Sequence, residues 1–216
     1  MAGRLRASQG ARGRPDALSG AVPAVPPLPA AFYARSAQEV ARSLLGTWLR
    51  SEIGGEVAAG RIVETEAYIG PHDPASHAAE RYGRTRRNLS MFGPPGIAYV
   101  YRSYGIHWCL NVVTDRADYP AAVLIRAVEP RTGIAIMTRR RGTAERDLAR
   151  GPGRLTQAFG ITGALDGHVL DRPPLTIHPA PDDAVLDIAN GPRVGITRAA
   201  DWPLRYWLRD SPWVSR

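Results

Sequence analysis

The sequence predicts an α+β fold: one compact domain with a curved, mainly antiparallel β-sheet and helices beside it. Two observations predict it. Short strand-like runs follow one another and are joined by turn residues, as hairpins are. The helix-like stretches stand apart from them rather than alternating with single strands, which argues against a parallel α/β sheet. At 216 residues the chain is long enough to bury a substantial core. It contains no internal repeat.

Residues 1–28 are rich in Arg, Gly, Ala and Pro without periodicity. They are expected to be a disordered basic tail before a domain spanning 29–216. The tail is either a loose phosphate contact or idle. Order is expected from about Ala31. Ser36-Ala-Gln-Glu39 reads as a capping box, with Val40, Leu44 and Leu45 following at helical spacing and Gly46 as the stop. Residues 47–53 and 56–68 read as strands around a Gly54-Gly55 turn, and 71–96 as a long loop closed by Gly93-Pro-Pro-Gly96. Strands are expected at 97–103, 106–113 and 121–127, a helix over about 131–141, and a second helix opening at Gly151-Pro152. The last third reads as short strands and turns in "PPLTIHP", "GPRVGI" and "PLRYWLRDSPWVS".

Composition narrows the function. The net charge is +8 and the pI about 10.3, as nucleic-acid-binding proteins show. Every formal side-chain cation is arginine, because the sequence has no lysine. A lysine Schiff base is therefore excluded. The single cysteine, Cys109, rules out an internal disulfide and points to a reducing compartment. No apolar run has the ~18 residues of a membrane span, and the N-terminal stretch lacks the apolar core of a secretory signal.

The candidate residues lie mainly on the strands. Alternation places Glu64, Glu66 and Tyr68 on one face with Ile62. Two acids on a half-buried face are either a general acid or base with a perturbed pKa or members of a structural network with arginines. Arg126, inside the apolar run "VLIRAVEP", needs an anion, and a glutamate of strand 61–68 is its natural partner. Asn111, in "CLNVV", must hydrogen-bond backbone or ligand. Tyr99 and Tyr101 form a stripe that either packs in the core or cages a ligand. His77 is either a surface imidazole or a stacking partner for a planar ligand. His72, His77 and Asp73 lack the further ligands a metal site needs. Tyr104 is a bulky ring beside the turn glycine Gly105, where small polar residues are usual.

Five blocks, "RIVETEAYIGPHDPASHA", "MFGPPGIAYVYRSYGIHWCLNVV", "AVLIRAVEP", "GPGRLTQAFGI" and "LRYWLRDSPWVS", occur in one order and spacing that closely resemble the alkyladenine (3-methyladenine) DNA glycosylase family, also called methylpurine DNA glycosylases. The resemblance spans about Ala31 to Ser215. It implies a monofunctional base-excision-repair hydrolase that flips a damaged purine from duplex DNA and cleaves its N-glycosidic bond with water. It also implies a protruding β-hairpin, no metal and no organic cofactor. By this resemblance Glu66 activates the water, while Arg126 and the Val194 carbonyl help to hold it. Tyr68, His77 and Tyr101 sandwich the flipped base, and Asn111 crowds the exocyclic amine of guanine. Tyr104 is the wedge in the duplex, Tyr99 remains packing, and Arg102 and Arg154 are expected at the DNA. Arg102 and His107 flank the wedge and depart from the family pattern. The expected partner is double-stranded DNA containing damaged purines, met by a monomer away from membranes. The expected location is the cytoplasm at the nucleoid in a bacterium, or the nucleus in a eukaryote. The alternative is a non-catalytic damaged-DNA or RNA-binding module that retains the base pocket.

Overall fold

The Gly54-Gly55 hairpin forms as expected and sets the centre of the sheet. Both glycines have positive φ (68° and 75°), as a tight turn between twisted strands requires. The computed structural model describes residues 25–79, 81–180 and 185–215. Of the expected tail, residues 1–24 lie outside them. Leu28 is buried and its N–H donates to the Ile177 carbonyl at 2.8 Å.

The described elements run in chain order α1 (Ala30–Tyr33), α2 (Ala37–Ser43), β1 (Trp48–Ile53), β2 (Glu56–Tyr68), β3 (Ala98–Ser103), β4 (His107–Thr114), β5 (Ala121–Thr132), α3 (Ile134–Arg141), α4 (Pro152–Phe159), β6 (Asp171–Arg172), β7 (Leu175–His178), β8 (Ile188–Gly191) and β9 (Arg205–Leu208). The capping box of α2 is present in full, with Ser36 accepting from the Glu39 N–H and the Glu39 side chain accepting from the Ser36 N–H. Among the described residues the strands form one curled antiparallel sheet in the order β3-β4-β5-β2-β1-β7-β6, with β9 against β2 and β8 against β9. The fold is α+β, as the strand pattern predicts. No helix among the described residues is long and apolar enough to cross a membrane.

β2 is the spine of this sheet. Its first half pairs with β1, residues 64–66 pair with β9, and its other edge follows β5. Three register shifts interrupt the β2–β5 ladder: one between Ala59 and Gly60, and two around Glu64. Ile62 faces Val128 and Glu64 faces Ala127, so Val63 is extra on β2; Thr65 then faces Ile125, so Arg126 is extra on β5. Such bulges bend a strand and re-aim the side chain they carry. The strict alternation expected for Ile62, Glu64 and Glu66 is broken between the first two. The Thr65 hydroxyl donates to the Ala41 carbonyl at 2.9 Å, tying α2 to the other side of β2. The core of Leu49, Ile62, Leu110, Ile125, Leu155 and Phe159 lies between the sheet and the helices.

Three expectations are corrected. β5 runs to Thr132, beyond the expected 127, because its partner β2 continues to pair with it as far as Ala59. The next helix therefore starts at Ile134, after the left-handed Gly133. Only Gly191 of "GPRVGI" belongs to a strand; the rest is a loop whose polar groups bond to the end of β2 instead.

β3 and β4 form the hairpin that carries Tyr104. Ser103 pairs with His107, and the Ile106 N–H closes the turn on the Ser103 carbonyl at 3.0 Å. Both central residues have positive φ, 49° at Tyr104 and 70° at Gly105. The Tyr104 ring is 88% exposed. The base of the hairpin is held firmly. A Cβ on Gly153 of α4 would lie 2.8 Å from the His107 Cβ, and one on Gly163 would lie 2.7 Å from the Trp108 ring. The Thr156 hydroxyl also donates to the Trp108 carbonyl at 2.9 Å. A left-handed L-residue costs roughly 1–2 kcal/mol, and asparagine tolerates that region better than tyrosine. Tyr104→Asn should therefore gain about 1 kcal/mol and raise the thermal midpoint by about 2–4 °C, read by calorimetry. A fall in the midpoint would mean that the ring packs against the fold.

Candidate active site

The bulged segments of β2 and β5 bring two carboxylates and one guanidinium together out of water. Arg126 donates from Nε to Glu64 at 3.2 Å, and its Nη1 lies 3.3 Å from Glu66. Both glutamates are 0% exposed. Their surroundings differ. Glu64 also accepts from Arg205 at 2.6 Å, from the Ser215 N–H at 2.7 Å and from the Ser215 hydroxyl at 2.9 Å. It is the centre of a structural network that fastens β9 and the C-terminal segment to β2. Glu66 accepts from the Val194 N–H at 2.7 Å on Oε1 and from the Tyr68 hydroxyl at 3.1 Å on Oε2. Val194 thus meets Glu66 through its N–H.

A cavity of about 580 Å³ opens beside Glu66. Tyr68, Arg126 and Val194, the three groups that hold Glu66, form part of its wall, with His77, Tyr99, Tyr101, Cys109 and Asn111 around it. His77 meets the Tyr101 ring edge-on, with centroids 4.4 Å apart, and its Nδ1 lies 3.1 Å from the Tyr99 hydroxyl. Tyr99 and Tyr101 are stacked at 5.3 Å. Tyr99 therefore packs, as expected of it, and also orients His77. Asn111 faces Tyr99 across the β3–β4 ladder and donates to its carbonyl at 3.1 Å. Tyr68, His77, Tyr101 and Asn111, far apart in sequence, come together on one cavity, and Tyr104 lies at its rim.

The electrostatics follow from burial. Desolvation pushes the Glu66 carboxyl above the ordinary carboxylate range, against the pull of Arg126, the Val194 N–H and the Tyr68 hydroxyl. Desolvation, then the nearby Arg87 charge, lowers His77, so its imidazole is neutral near pH 7. Burial also raises the Tyr68 and Tyr101 hydroxyls and the Cys109 thiol, keeping all three protonated. Glu64, Glu66, Arg126 and Arg205 sum to zero charge only while Glu66 is ionised.

A second cleft of about 550 Å³ shares Arg126 and Pro152 with the cavity and adds Arg146, Arg150 and Arg154. Arg154 pairs there with Asp147 at 3.0 Å. Arg102, on β3, lies over the Trp108 ring at 5.4 Å. Among the described residues no three His, Cys, Asp or Glu side chains cluster as metal ligands. The sequence reading missed Arg193 and passed over Asp73. They form a fully buried pair behind Tyr68, with Nη1 to Oδ2 at 2.5 Å and Nη2 to Oδ1 at 2.9 Å. An arginine inside "GPRVG" was the available signal, but its partner lies 120 residues away.

The Methylpurine-DNA glycosylase (MPG) family model matches residues 31–212. The chain belongs to this family. It is accordingly a DNA glycosylase, a hydrolase of N-glycosyl bonds. Among its relatives, one from Rhodopseudomonas palustris (strain BisB18) is 53% identical over 192 residues, covering 88% of this chain and 92% of its own. One from Nitrosospira multiformis is 50% identical, covering 87% and 93%, and one from Methanoculleus marisnigri is 51% identical, covering 88% and 98%. Each is named "Putative 3-methyladenine DNA glycosylase". The family resemblance carried by the five sequence blocks is borne out.

The split between the two glutamates gives a test. Removing Glu64 leaves Arg126 and Arg205 short of a buried anion. Glu64→Ala should cost about 3–5 kcal/mol of stability, measured by urea unfolding. A loss below 1 kcal/mol, on the order of a surface pair, would show that the network is not structural.

Proposed function

We propose that this glycosylase extrudes a damaged purine from duplex DNA into the aromatic cavity and hydrolyses its N-glycosidic bond with a water activated by Glu66. One observation carries the reading: the buried Glu66, held by Arg126, Val194 and Tyr68, lies directly behind an aromatic cavity with an exposed tyrosine at its rim.

A base inside a duplex is out of reach, so it must leave the stack at a cost of a few kcal/mol. Tyr104 fills the vacated space, as apolar wedges do in other minor-groove proteins. Arg102, Arg154 and the arginine-lined cleft hold the backbone through contacts that weaken with salt. Tyr68, His77 and Tyr101 then flank the base. A purine alkylated at N3 or N7 is cationic, and each good ring contact contributes roughly 0.5–2 kcal/mol of cation–π attraction. A neutral His77 wall adds no repulsion. Asn111, fixed on the Tyr99 carbonyl, crowds the exocyclic amine of guanine.

In the chemical step the Glu66 carboxylate takes a proton from water as the water oxygen bonds to C1′. The glycosidic electron pair leaves with the base, whose positive charge it neutralises. Oε2 of Glu66 has Tyr68 as a partner and keeps lone-pair capacity for that water. Arg126 favours the ionised form that the step requires. We further propose that the protein acts as a monomer, at the nucleoid or in the nucleus.

Glu66→Gln should abolish excision and leave binding to lesion DNA nearly unchanged, in a single-turnover assay on 3-methyladenine duplexes scored for abasic sites. Retained turnover would remove Glu66 from this role. Binding without turnover in the unmodified protein would instead mark a lesion-binding module. The pH dependence has a definite sign. Only the carboxylate accepts a proton, and its pKa is raised, so the rate should increase about tenfold per pH unit up to that pKa and then level. Tyr104→Ala should weaken lesion binding while preserving the cooperative melting transition.

A further inference from the structure

We propose that Arg193 is a positioning residue for the reaction: clamped to Asp73, it holds the Val194 amide on Glu66 and braces the Tyr68 wall. The inference rests on the reading of Glu66 as the base.

The geometry supports it at each link. Arg193 immediately precedes Val194 in a loop outside the ladder of the sheet. Its Nη1 donates to the Ala67 carbonyl at 3.0 Å, between Glu66 and Tyr68 on β2. The same guanidinium grips both oxygens of Asp73, and both side chains are 0% exposed. Its central carbon lies 4.7 Å from the Tyr68 ring centroid, and its buried Nε has no hydrogen-bond acceptor. An N–H group over an aromatic face is placed for cation–π attraction rather than a conventional bond. Asp73 in turn accepts from the Ile69 N–H at 3.3 Å and from the Ala75 N–H at 3.0 Å. It shapes the loop that carries His77. One ion pair thus joins the loop holding Val194, the strand holding Glu66 and Tyr68, and the loop holding His77.

Only a planar fork makes these contacts together. A fully buried charge pair is also a poor source of net stability. Its placement on the partners of Glu66 gives it a use that packing alone does not. Other groups facing Glu66 are Arg126 from β5, Tyr101 from β3, Cys109 from β4, and Glu64 and Tyr68 from its own strand. Of these only Tyr68, whose ring Arg193 braces, touches the clamp. Tyr68 and the Val194 N–H are both among the groups that hold the Glu66 pKa down.

The test compares the unmodified protein with the charge-neutral pair Arg193→Met/Asp73→Asn. Single-turnover excision from a 3-methyladenine duplex, whose cationic base leaves without a general acid, is followed across the acid and neutral range. The acid limb should move by about one pH unit to higher pH, a tenfold loss of rate on that limb, with recovery toward the unmodified rate above it. An unmoved limb, or an equal loss at every pH, would overturn the proposal and leave Arg193 a packing residue. Should the pair fail to melt cooperatively, Arg193→Lys decides by the same limb, because it keeps the charge but not the fork. Glu66→Gln separates the two readings. If it still turns over, the base assignment fails and this proposal with it; if it is inert while the limb stays put, only the Arg193 proposal fails.

Discussion

The ion cluster Glu64–Arg126–Glu66 is the constraint around which the rest of the structure is arranged. Putting three charges out of water is unfavourable unless geometry and hydrogen bonds are nearly complete. Completing them takes β2, β5, β9, the 192–196 loop and the C-terminal segment together. The cluster therefore cannot form in part, and it makes distant segments depend on one another. The two bulges around Glu64 allow it. They let Arg126 leave the strand ladder and reach both acids.

The same cluster divides labour between two residues of one type. Glu64 has donors on every side and no role left but to hold. Glu66 has fewer partners and lies behind the cavity wall. Its raised affinity for protons is set by burial and restrained by three specific donors. The proposed base is tuned by what surrounds it, so residues without access to substrate bear on its proton affinity. The aromatic wall is rigid for a related reason: His77, Tyr99 and Tyr101 are held by one another rather than by solvent.

Much of the fold was legible in the sequence because its signals are local. The Gly54-Gly55 turn, the capping box at Ser36 and the Pro152 start of α4 each depend on a few neighbouring residues. Arg126 and Asn111 announced themselves as polar residues in apolar strands, and each has a buried partner. What was not legible is non-local. The register shifts depend on how β2 and β5 meet, and no pattern within either strand specifies them. The Arg193–Asp73 pair joins residues that no periodicity connects. The expected strand stopped at 127 and the expected helix began at about 131, whereas the continuing ladder with β2 keeps Glu129, Pro130 and Arg131 extended. The strain at Tyr104 was visible only as an unsuitable residue beside a turn glycine.

Cys109 adds a consequence of a different kind. It lies in the cavity wall, and burial raises its thiol pKa. The reactive species toward an electrophile is the thiolate. Methylating agents that damage DNA bases are electrophiles of this sort, and a repair enzyme works where they are present. With its one thiol kept protonated and almost sealed from solvent, and with no lysine amine anywhere in the chain, the protein withholds two common nucleophiles from such agents. The burial that raises the Glu66 carboxyl thus also keeps the neighbouring thiol in its less reactive form.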